Sequence, residues 1–454
     1  MTADIQMSPT TDFVSWFRSV APYIHAFRGK VFVIGFSGEM ITDAKFVNFI
    51  HDINLLASLG VRLVLVHGAR PQIQLRLDES QLETQTVMGM RVTDPAALQC
   101  VKESVGRVHH EIAALLSMGL PNSPMANASI RVTSGNFVTA CPQGVIQGVD
   151  LMHTGKVRKI NAQAIHSRLE QGDVVLISPL GYSPTGEIFN LTMENVATEV
   201  AIALNAEKLI FLLDMLDDTA AASEVDKSTA LPRELTVAES KLLLENKTPA
   251  TKPLVPDAIR PSLQYATKAC EMGVARTHLI SRHNDGAILQ ELFTHHGIGT
   301  MISRETLQAL RKARIEDVGG ILQLIEPLEA EGILVRRGRE LLEIEIDRFT
   351  VLEHDGIILG CAALYPFPEE HACELACLAI HPDYRDFGHG NRLLKHIENQ
   401  TISQGIHVLF VLTTHATHWF IEHGFTVATP AELPKVKQNL YNYQRRSKVL
   451  IKHL

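Results

Sequence analysis

Residues 374–397 read ELACLAIHPDYRDFGHGNRLLKHI. The apolar run Leu375 to Ile380 has the character of a strand, His381-Pro382 makes a turn, and Leu393, Leu394 and Ile397 recur at helical spacing. Between strand and helix sits Arg385-x-x-Gly388-x-Gly390. Such a loop aims unpaired backbone N–H groups at one point, where the helix N-terminus adds partial positive charge. Gly388 and Gly390 leave no Cβ in the way, and Arg385 adds a charged donor, so the segment is a cradle for phosphate oxygens.

The block around Arg385, Gly388 and Gly390 resembles the acetyl-CoA signature of the GNAT N-acetyltransferases. Downstream, Trp419-Phe-Ile-Glu-His-Gly424-Phe425 is similar to the second motif of that family, a short helix closed by a glycine before the next strand. The resemblance implies acetyl-CoA as co-substrate, held by Cys377, Leu378, Ile380, Arg385, Gly388, His389, Gly390 and Asn391. It also implies an α+β domain whose elements follow in order. These are a first strand near Leu310, a hairpin over Phe349–Leu352 and Gly356–Tyr365 turning at His354-Asp355-Gly356, the segment above, His407–Leu412, and a last strand over Asn442–Ile451.

A chain of 454 residues is too long for one ordinary core, so two domains are expected. Hydrophobic content of 46% and charged content of 20% describe a soluble globular protein. A net charge of -8 without a basic tract gives no reason to expect nucleic acid. No signal peptide or membrane-spanning run is read, which points to the cytoplasm. Six scattered cysteines make no disulfide framework. Cys373-x3-Cys377 lacks the second pair that a metal site needs, and no metal is expected.

Residues 1–10 are polar and expected to be frayed. Over 11–27, Phe13, Trp16, Phe17, Val20 and Ile24 trace an amphipathic helix, which either lies on its own domain or packs on a neighbouring subunit. Strands are expected near Lys30–Ile34, Arg62–Val66, Asn127–Val132, Asp173–Ile177, Lys208–Leu213 and Arg276–Ile280, alternating with helices such as 43–59. This is an α/β chain, a doubly wound and mostly parallel sheet, with ligands beyond the carboxyl ends of its strands. The stretch from Asp214 to Pro261 reads as a surface excursion with a helix near 236–246.

His67-Gly68, Gly89-Met-Arg91-Val-Thr-Asp94, Asn190, Asn195 and Ala197 resemble the acetylglutamate side of the amino-acid kinase family. The departures matter more. Where those kinases carry a lysine after the first strand, this chain has Gly35, and their glycine run is Gly68-Ala69-Arg70 here. Phosphoryl transfer works by positioning and positive charge, so loss of that lysine implies a kinase fold without kinase activity. The section from His278 through Glu291 to Gly297 and Gly299 is similar to the arginine signature of arginine-inhibited acetylglutamate kinases. That resemblance implies L-arginine held by Lys208, His278, Glu291, Gly297 and Gly299, the carboxylate of Glu291 taking the guanidinium and loop N–H groups the ligand carboxylate. It also implies a homo-oligomer, dimers joined by the N-terminal helix into a hexameric ring.

The domains expected are therefore a kinase-like one over 28–300, a linker over 301–306 and a GNAT domain over 307–454. For acetyl transfer, Glu374 is the candidate base and Thr413, with Thr414 beside it, the candidate donor to the leaving sulfur. Backbone N–H groups near Cys377 and Leu378 would polarise the thioester. Leu334, Arg336 and Arg337 form one acceptor cluster, and Arg445 with Ser447 on one strand face forms the other. Two basic clusters suit an acceptor with two carboxylates, and on a kinase-like partner domain this points to L-glutamate. The arrangement is similar to the two-domain acetylglutamate synthase family, which makes N-acetyl-L-glutamate for arginine synthesis under arginine feedback. Two alternatives stand beside it, a bifunctional synthase and kinase, and an arginine-binding regulator with an idle GNAT domain.

Overall fold

The computed structural model describes residues 9–215, 231–245, 255–294, 297–305, 308–354, 356–385, 388–440 and 447–454. The chain folds as two compact units, 1–305 and 306–454.

The first unit opens with helix α1 (Pro9–Phe27), so Pro9 and Thr10 extend the helix expected from residue 11, and residues 1–8 lie outside the described residues. Strand β1 (Val31–Phe36) follows, then α2 (Gly38–Ile41) and α3 (Phe46–Ser58) in place of one helix over 43–59. Next come β2 (Arg62–His67), α4 (Arg70–Glu79), α5 (Pro95–Leu116), β3 (Val132–Thr133), β4 (Val138–Pro142), β5 (Gly155–Ile160), α6 (Ala162–Glu170), β6 (Val174–Ile177), β7 (Leu180–Tyr182), β8 (Ile188–Asn190) and α7 (Met193–Ala203). The unit closes with β9 (Lys208–Leu213), β10 (Glu234–Thr236), α8 (Val237–Leu244), α9 (Arg260–Glu271), β11 (Arg276–Ser281), α10 (Ala287–Phe293) and β12 (Thr300–Ser303).

The main sheet runs β10-β12-β11-β9-β1-β2-β6-β3, parallel except where β12 runs against β11. Period-two alternation sends Val31 and Val33 of β1 toward α7 and α9, and Phe32, Ile34 and Phe36 toward α3, α5 and α10. A second sheet, β8-β7-β4-β5, lies in the same unit. Helix starts follow from local chemistry: Asp94 accepts the Ala97 N–H at 2.7 Å with Pro95 in the first turn, and Thr192 caps α7.

Three expectations are corrected here. The strand foreseen over Asn127–Val132 is confined to Val132–Thr133, because Asn127 sits at φ +62° in a turn. Residues 301–303, assigned to a linker, belong to β12, whose pairing with β11 covers an otherwise bare sheet edge. The excursion after Asp214 returns a strand, β10, to the outer edge of the main sheet; its residues 216–230 and 246–254 lie outside the described residues.

The second unit contains β13 (Gln308–Lys312), α11 (Val318–Ala330), α12 (Arg339–Ile344), β14 (Phe349–His354), β15 (Ile357–Phe367), β16 (Ala372–Ile380), α13 (His389–Ser403), β17 (Val408–Thr413), α14 (Thr417–Glu422), β18 (Thr426–Ala428), α15 (Lys435–Leu440) and β19 (Lys448–His453). Its sheet runs β13-β14-β15-β16-β17-β19-β18, with β16 and β17 parallel and the other neighbours antiparallel. Helices α11 and α12 cover one face over Ile321, Ile325 and Leu342, and α13 and α14 the other over Leu393, Ile397 and Phe420. The last strand begins at Lys448 with Ser447 just before it, and residues 442–446 of the strand foreseen over Asn442–Ile451 lie outside the described residues.

Candidate active site and regulatory cluster

Strands β16 and β17 pair in parallel from Ala372–Val408 to Leu375–Val411, and there the register ends. Beyond that point β17 keeps only β19, through Thr413 opposite Lys448, while β16 runs on beside β15 to Ile380. The divergence has a local cause. Cys377 and Leu378 oppose the single residue Ala362, and Cys377 adopts φ +51°, a bulge that bends β16 away from its parallel neighbour. Backbone groups of residues 376–380 on the β17 side thus face an opening wedge.

At the end of that wedge Gly388 caps α13 at φ +75°, where a side chain is strained. The first-turn N–H groups of α13, at His389, Gly390 and Asn391, have no partner within the helix. His389 is buried, and a Cβ on Gly390 would stand 3.3 Å from the Trp419 ring, so this glycine lets α13 approach α14. The Arg385 chain is exposed and its Nε donates to the Ile380 carbonyl at 3.4 Å. Trp419 stacks on His423 with ring centroids 4.2 Å apart.

Glu374 lies on β16 opposite Tyr365 of β15, buried at 6% exposure. Its Oε2 sits 2.6 Å from Nζ of Lys437 on α15. The Tyr365 hydroxyl donates to Glu345 at 2.7 Å, and burial together with that carboxylate pushes Tyr365 up to about 12. The Arg337 guanidinium reaches Cys377 Sγ at 2.9 Å, and its backbone N–H donates to Glu329 at 2.8 Å. Burial opposes the Arg337 charge, but Cys377, Tyr365 and Glu374 together hold it above the ordinary guanidinium range. Burial pushes both the Cys373 and Cys377 thiols up to about 11, which keeps them protonated. Glu374, Cys377, Tyr365 and Arg337 therefore come together on the α11 and α12 side of the sheet.

Thr413 Oγ1 accepts the Ala416 N–H at 3.0 Å, leaving its own proton to donate, and the Thr414 hydroxyl is buried with no hydrogen-bond partner among the described residues. Leu334 packs beside α11, and Arg336 points to solvent. Ser447 is buried just ahead of β19, and Arg445, foreseen on one strand face with it, lies outside the described residues. Lys437 and Tyr365 were missed. Tyr365 is legible from the β15–β16 register, but nothing local distinguishes Lys437 from any helix lysine, since only packing of α15 carries it to Glu374.

In the first unit Gly35 lies within β1 and not in the turn after it, paired with Phe211 and Val66. A Cβ on Gly35 would stand 2.6 Å from Met193 Sδ and 3.0 Å from the Phe211 ring, so the position of the missing lysine is filled by core. The turns after β1 and β2 lie against each other, with Gly68 N–H donating to Phe36 O at 2.7 Å and Gln72 Nε2 to Gly38 O at 2.7 Å. The acetylglutamate-side residues are engaged internally: Asn190 Nδ2 donates to Thr93 Oγ1 at 3.1 Å, Asn195 Oδ1 accepts the Val157 N–H at 2.9 Å, and Arg91 bonds Thr84 and Gln74.

At the opposite, amino-terminal end of the sheet, Lys208 Nζ lies 3.2 Å from His278 Nε2 and 5.2 Å from the centre of the Phe27 ring. His278 Nδ1 lies 2.6 Å from Glu291 Oε1. Burial, and then Lys208, lower His278 to about 4, so the neutral ring accepts from Lys208 and donates to Glu291. Glu291 Oε2 accepts the N–H groups of Ile298 at 2.7 Å and Gly299 at 2.9 Å. Burial alone would raise this carboxyl, but these bonds and His278 outweigh it and hold it at about 2. The five foreseen residues are thus neighbours, with one correction: the Gly299 N–H is spent on Glu291 and is not free for a ligand carboxylate. Gly297, at φ +55°, would place a Cβ 2.6 Å from Glu291 Oε2.

A parallel pair that splays beside a glycine-capped helix defines an N-acetyltransferase of the GNAT fold, here carried with a kinase-type domain. Residues 30–281 match the amino acid kinase family and residues 345–427 the acetyltransferase (GNAT) domain. An amino-acid acetyltransferase of Ralstonia nicotianae is 50% identical over 100% of this chain and 99% of its own. One of Vibrio cholerae is 46% identical over 98% and 99%. The crystal structure of N-acetylglutamate synthase from Neisseria gonorrhoeae complexed with coenzyme A and L-arginine is 38% identical, covers 97% of this chain and 99% of its own, and gives a TM-score of 0.82. The same enzyme complexed with coenzyme A and N-acetyl-glutamate gives 0.58 over the same coverage. The chain belongs to the amino-acid acetyltransferase family and is an N-acetyltransferase.

Proposed function

We propose that this enzyme transfers acetyl from acetyl-CoA to the amino group of L-glutamate, giving N-acetyl-L-glutamate for arginine synthesis, and that L-arginine inhibits it through the first unit. The observation that carries this reading is the wedge between β16 and β17, which opens past Leu375, the residue after the buried Glu374. Acetyl-CoA lies in it, its pyrophosphate on the α13 cradle of Arg385, Gly388, His389, Gly390 and Asn391, and its thioester beside the freed backbone of Cys377, Leu378 and Ile380. Glu374 takes a proton from the acceptor ammonium. The amine lone pair then forms the C–N bond and the C–S bond breaks; Thr413 passes its proton to the departing sulfur as the second proton of the new amide nitrogen moves to the threonine oxygen, so CoA leaves as the thiol and Thr413 is regenerated. Arg337 and Arg336, with Leu334 beside them, face one carboxylate of the acceptor; Arg445 and Ser447 face the other.

The Lys208, His278 and Glu291 cluster takes arginine, with Gly297 and Gly299 shaping its loop. A guanidinium on Glu291 replaces bonds that the carboxylate now makes, and this exchange is what couples the ligand to the fold. The exposed Phe13, Trp16 and Phe17 of α1 suit a second copy of the chain, in keeping with a ring built from dimers in the cytoplasm. Among the described residues no helix is long and apolar enough to cross a membrane.

CoA release across amino-acid acceptors, with and without arginine, tests the proposal. Preference for L-glutamate and loss of rate with arginine are expected. Preference for an acceptor with one carboxylate would overturn it.

A further inference from the structure

Glu374 is a buried carboxylate that already holds an ammonium. Lys437 Nζ is 2.6 Å from its Oε2, and no other donor bonds that oxygen among the described residues. Lys437 stands on a short helix, is only partly covered, and also lies 6.0 Å from the centre of the Tyr365 ring. The acceptor must bring its own ammonium to this same carboxylate, so the two ammonium groups compete for one place.

We infer that Lys437 is a specificity residue that works by ion-pair exchange: the acceptor ammonium displaces it from Glu374, and the released Lys437 joins the basic cluster that holds the acceptor's α-carboxylate. This rests on Glu374 being the base. The chemistry favours an exchange over simple displacement. In an α-amino acid the carboxylate sits on the carbon that bears the ammonium, so a group pushed off Glu374 by the ammonium finds the α-carboxylate next to it. Before exchange the buried pair is Glu374 with Lys437; afterwards each charge has a new opposite partner. No charge is left buried and alone, which is the costly arrangement. An amine without an α-carboxylate displaces Lys437 and offers it nothing. Specificity then comes from penalising the wrong acceptor as well as rewarding the right one.

The experiment compares L-glutamate with its α-amide as acceptors for wild type, K437M and K437R. For K437M, kcat/KM with L-glutamate is expected to fall about tenfold, through KM, the size of one lost charge-assisted contact. With the α-amide, kcat/KM holds or rises. Discrimination therefore collapses, and K437R recovers it. Equal losses with both acceptors, or no change with either, would overturn the exchange. Acetyl-CoA binding checks the fold, and if K437M fails that check, K437Q carries the same expectation. E374Q tests the underlying reading separately: undiminished kcat there removes Glu374 as base, whereas an inactive E374Q with unaltered K437M discrimination removes the exchange alone.

Discussion

Nδ1 of His278, inside β11, lies 2.6 Å from Oε1 of Glu291 on α10, both side chains all but excluded from solvent. With His278 lowered to about 4 from 6.5, the unfolded chain takes up this proton before the native one does. Stability is then lost as pH falls from about 6.5 through 4. Glu291, lowered to about 2 from 4.5, adds a loss of the same sign between about 4.5 and 2. Melting temperature is expected to drop on acidification below pH 6.5. His67, also lowered to about 4 by burial, contributes in the same window, so the comparison that isolates His278 is H278Q. Its melting curve should respond less steeply to pH, by on the order of 2 kcal/mol between pH 7 and 4.

Glu291 also ties down the loop that follows α10. E291Q keeps an acceptor for one N–H but loses the charge that would meet a guanidinium. Inhibition by L-arginine is expected to weaken at least tenfold in CoA-release titrations, while the uninhibited rate stays within about twofold. Full sensitivity in E291Q would remove this residue from the arginine site.

Restoring a lysine at Gly35 should not restore phosphoryl transfer. The space for its Cβ holds Met193 and Phe211, so G35K forces overpacking of about 1–3 kcal/mol or more. The expectation is a lower melting temperature and no ADP formation from ATP-Mg²⁺ with N-acetyl-L-glutamate. Robust ADP formation by wild type would instead support the bifunctional alternative.

At Thr413 the hydroxyl accepts the Ala416 N–H in the turn ahead of α14 and is proposed to protonate the sulfur. T413A should cost about 1 kcal/mol of stability for the lost turn hydrogen bond and 10- to 100-fold in kcat for the acid, with T413S retaining most of both. If T414A loses the rate and T413A does not, the role passes to Thr414, whose buried hydroxyl has no partner among the described residues.

Much of this molecule is written along the chain. The unbroken apolar runs Val31–Phe36 and Leu375–Ile380 mark buried strands, and Gly388 and Gly390 mark the anion cradle, each from local residue types. The same local logic placed Gly35 where a catalytic lysine is wanted, and brought Lys208, His278 and Glu291 under suspicion through their family pattern. Where it failed, non-local pairing was in control. Residues 301–303 look like a linker until β11 offers an edge to cover, and Glu234–Thr236 look like loop until β12 does.

The site divides in the same way. Sequence determined the residue types on β16, hence a carboxylate at Glu374 and a phosphate loop 11 residues further on at Arg385. Only the tertiary structure decided that β16 and β17 part after Leu375, that the Gly299 N–H is spent on Glu291, and that Lys437, 63 residues from Glu374 in the chain, becomes its counterion. Contacts of that kind depend on how helices and strands distant in sequence close over one another, a cost in chain entropy that only the whole core repays.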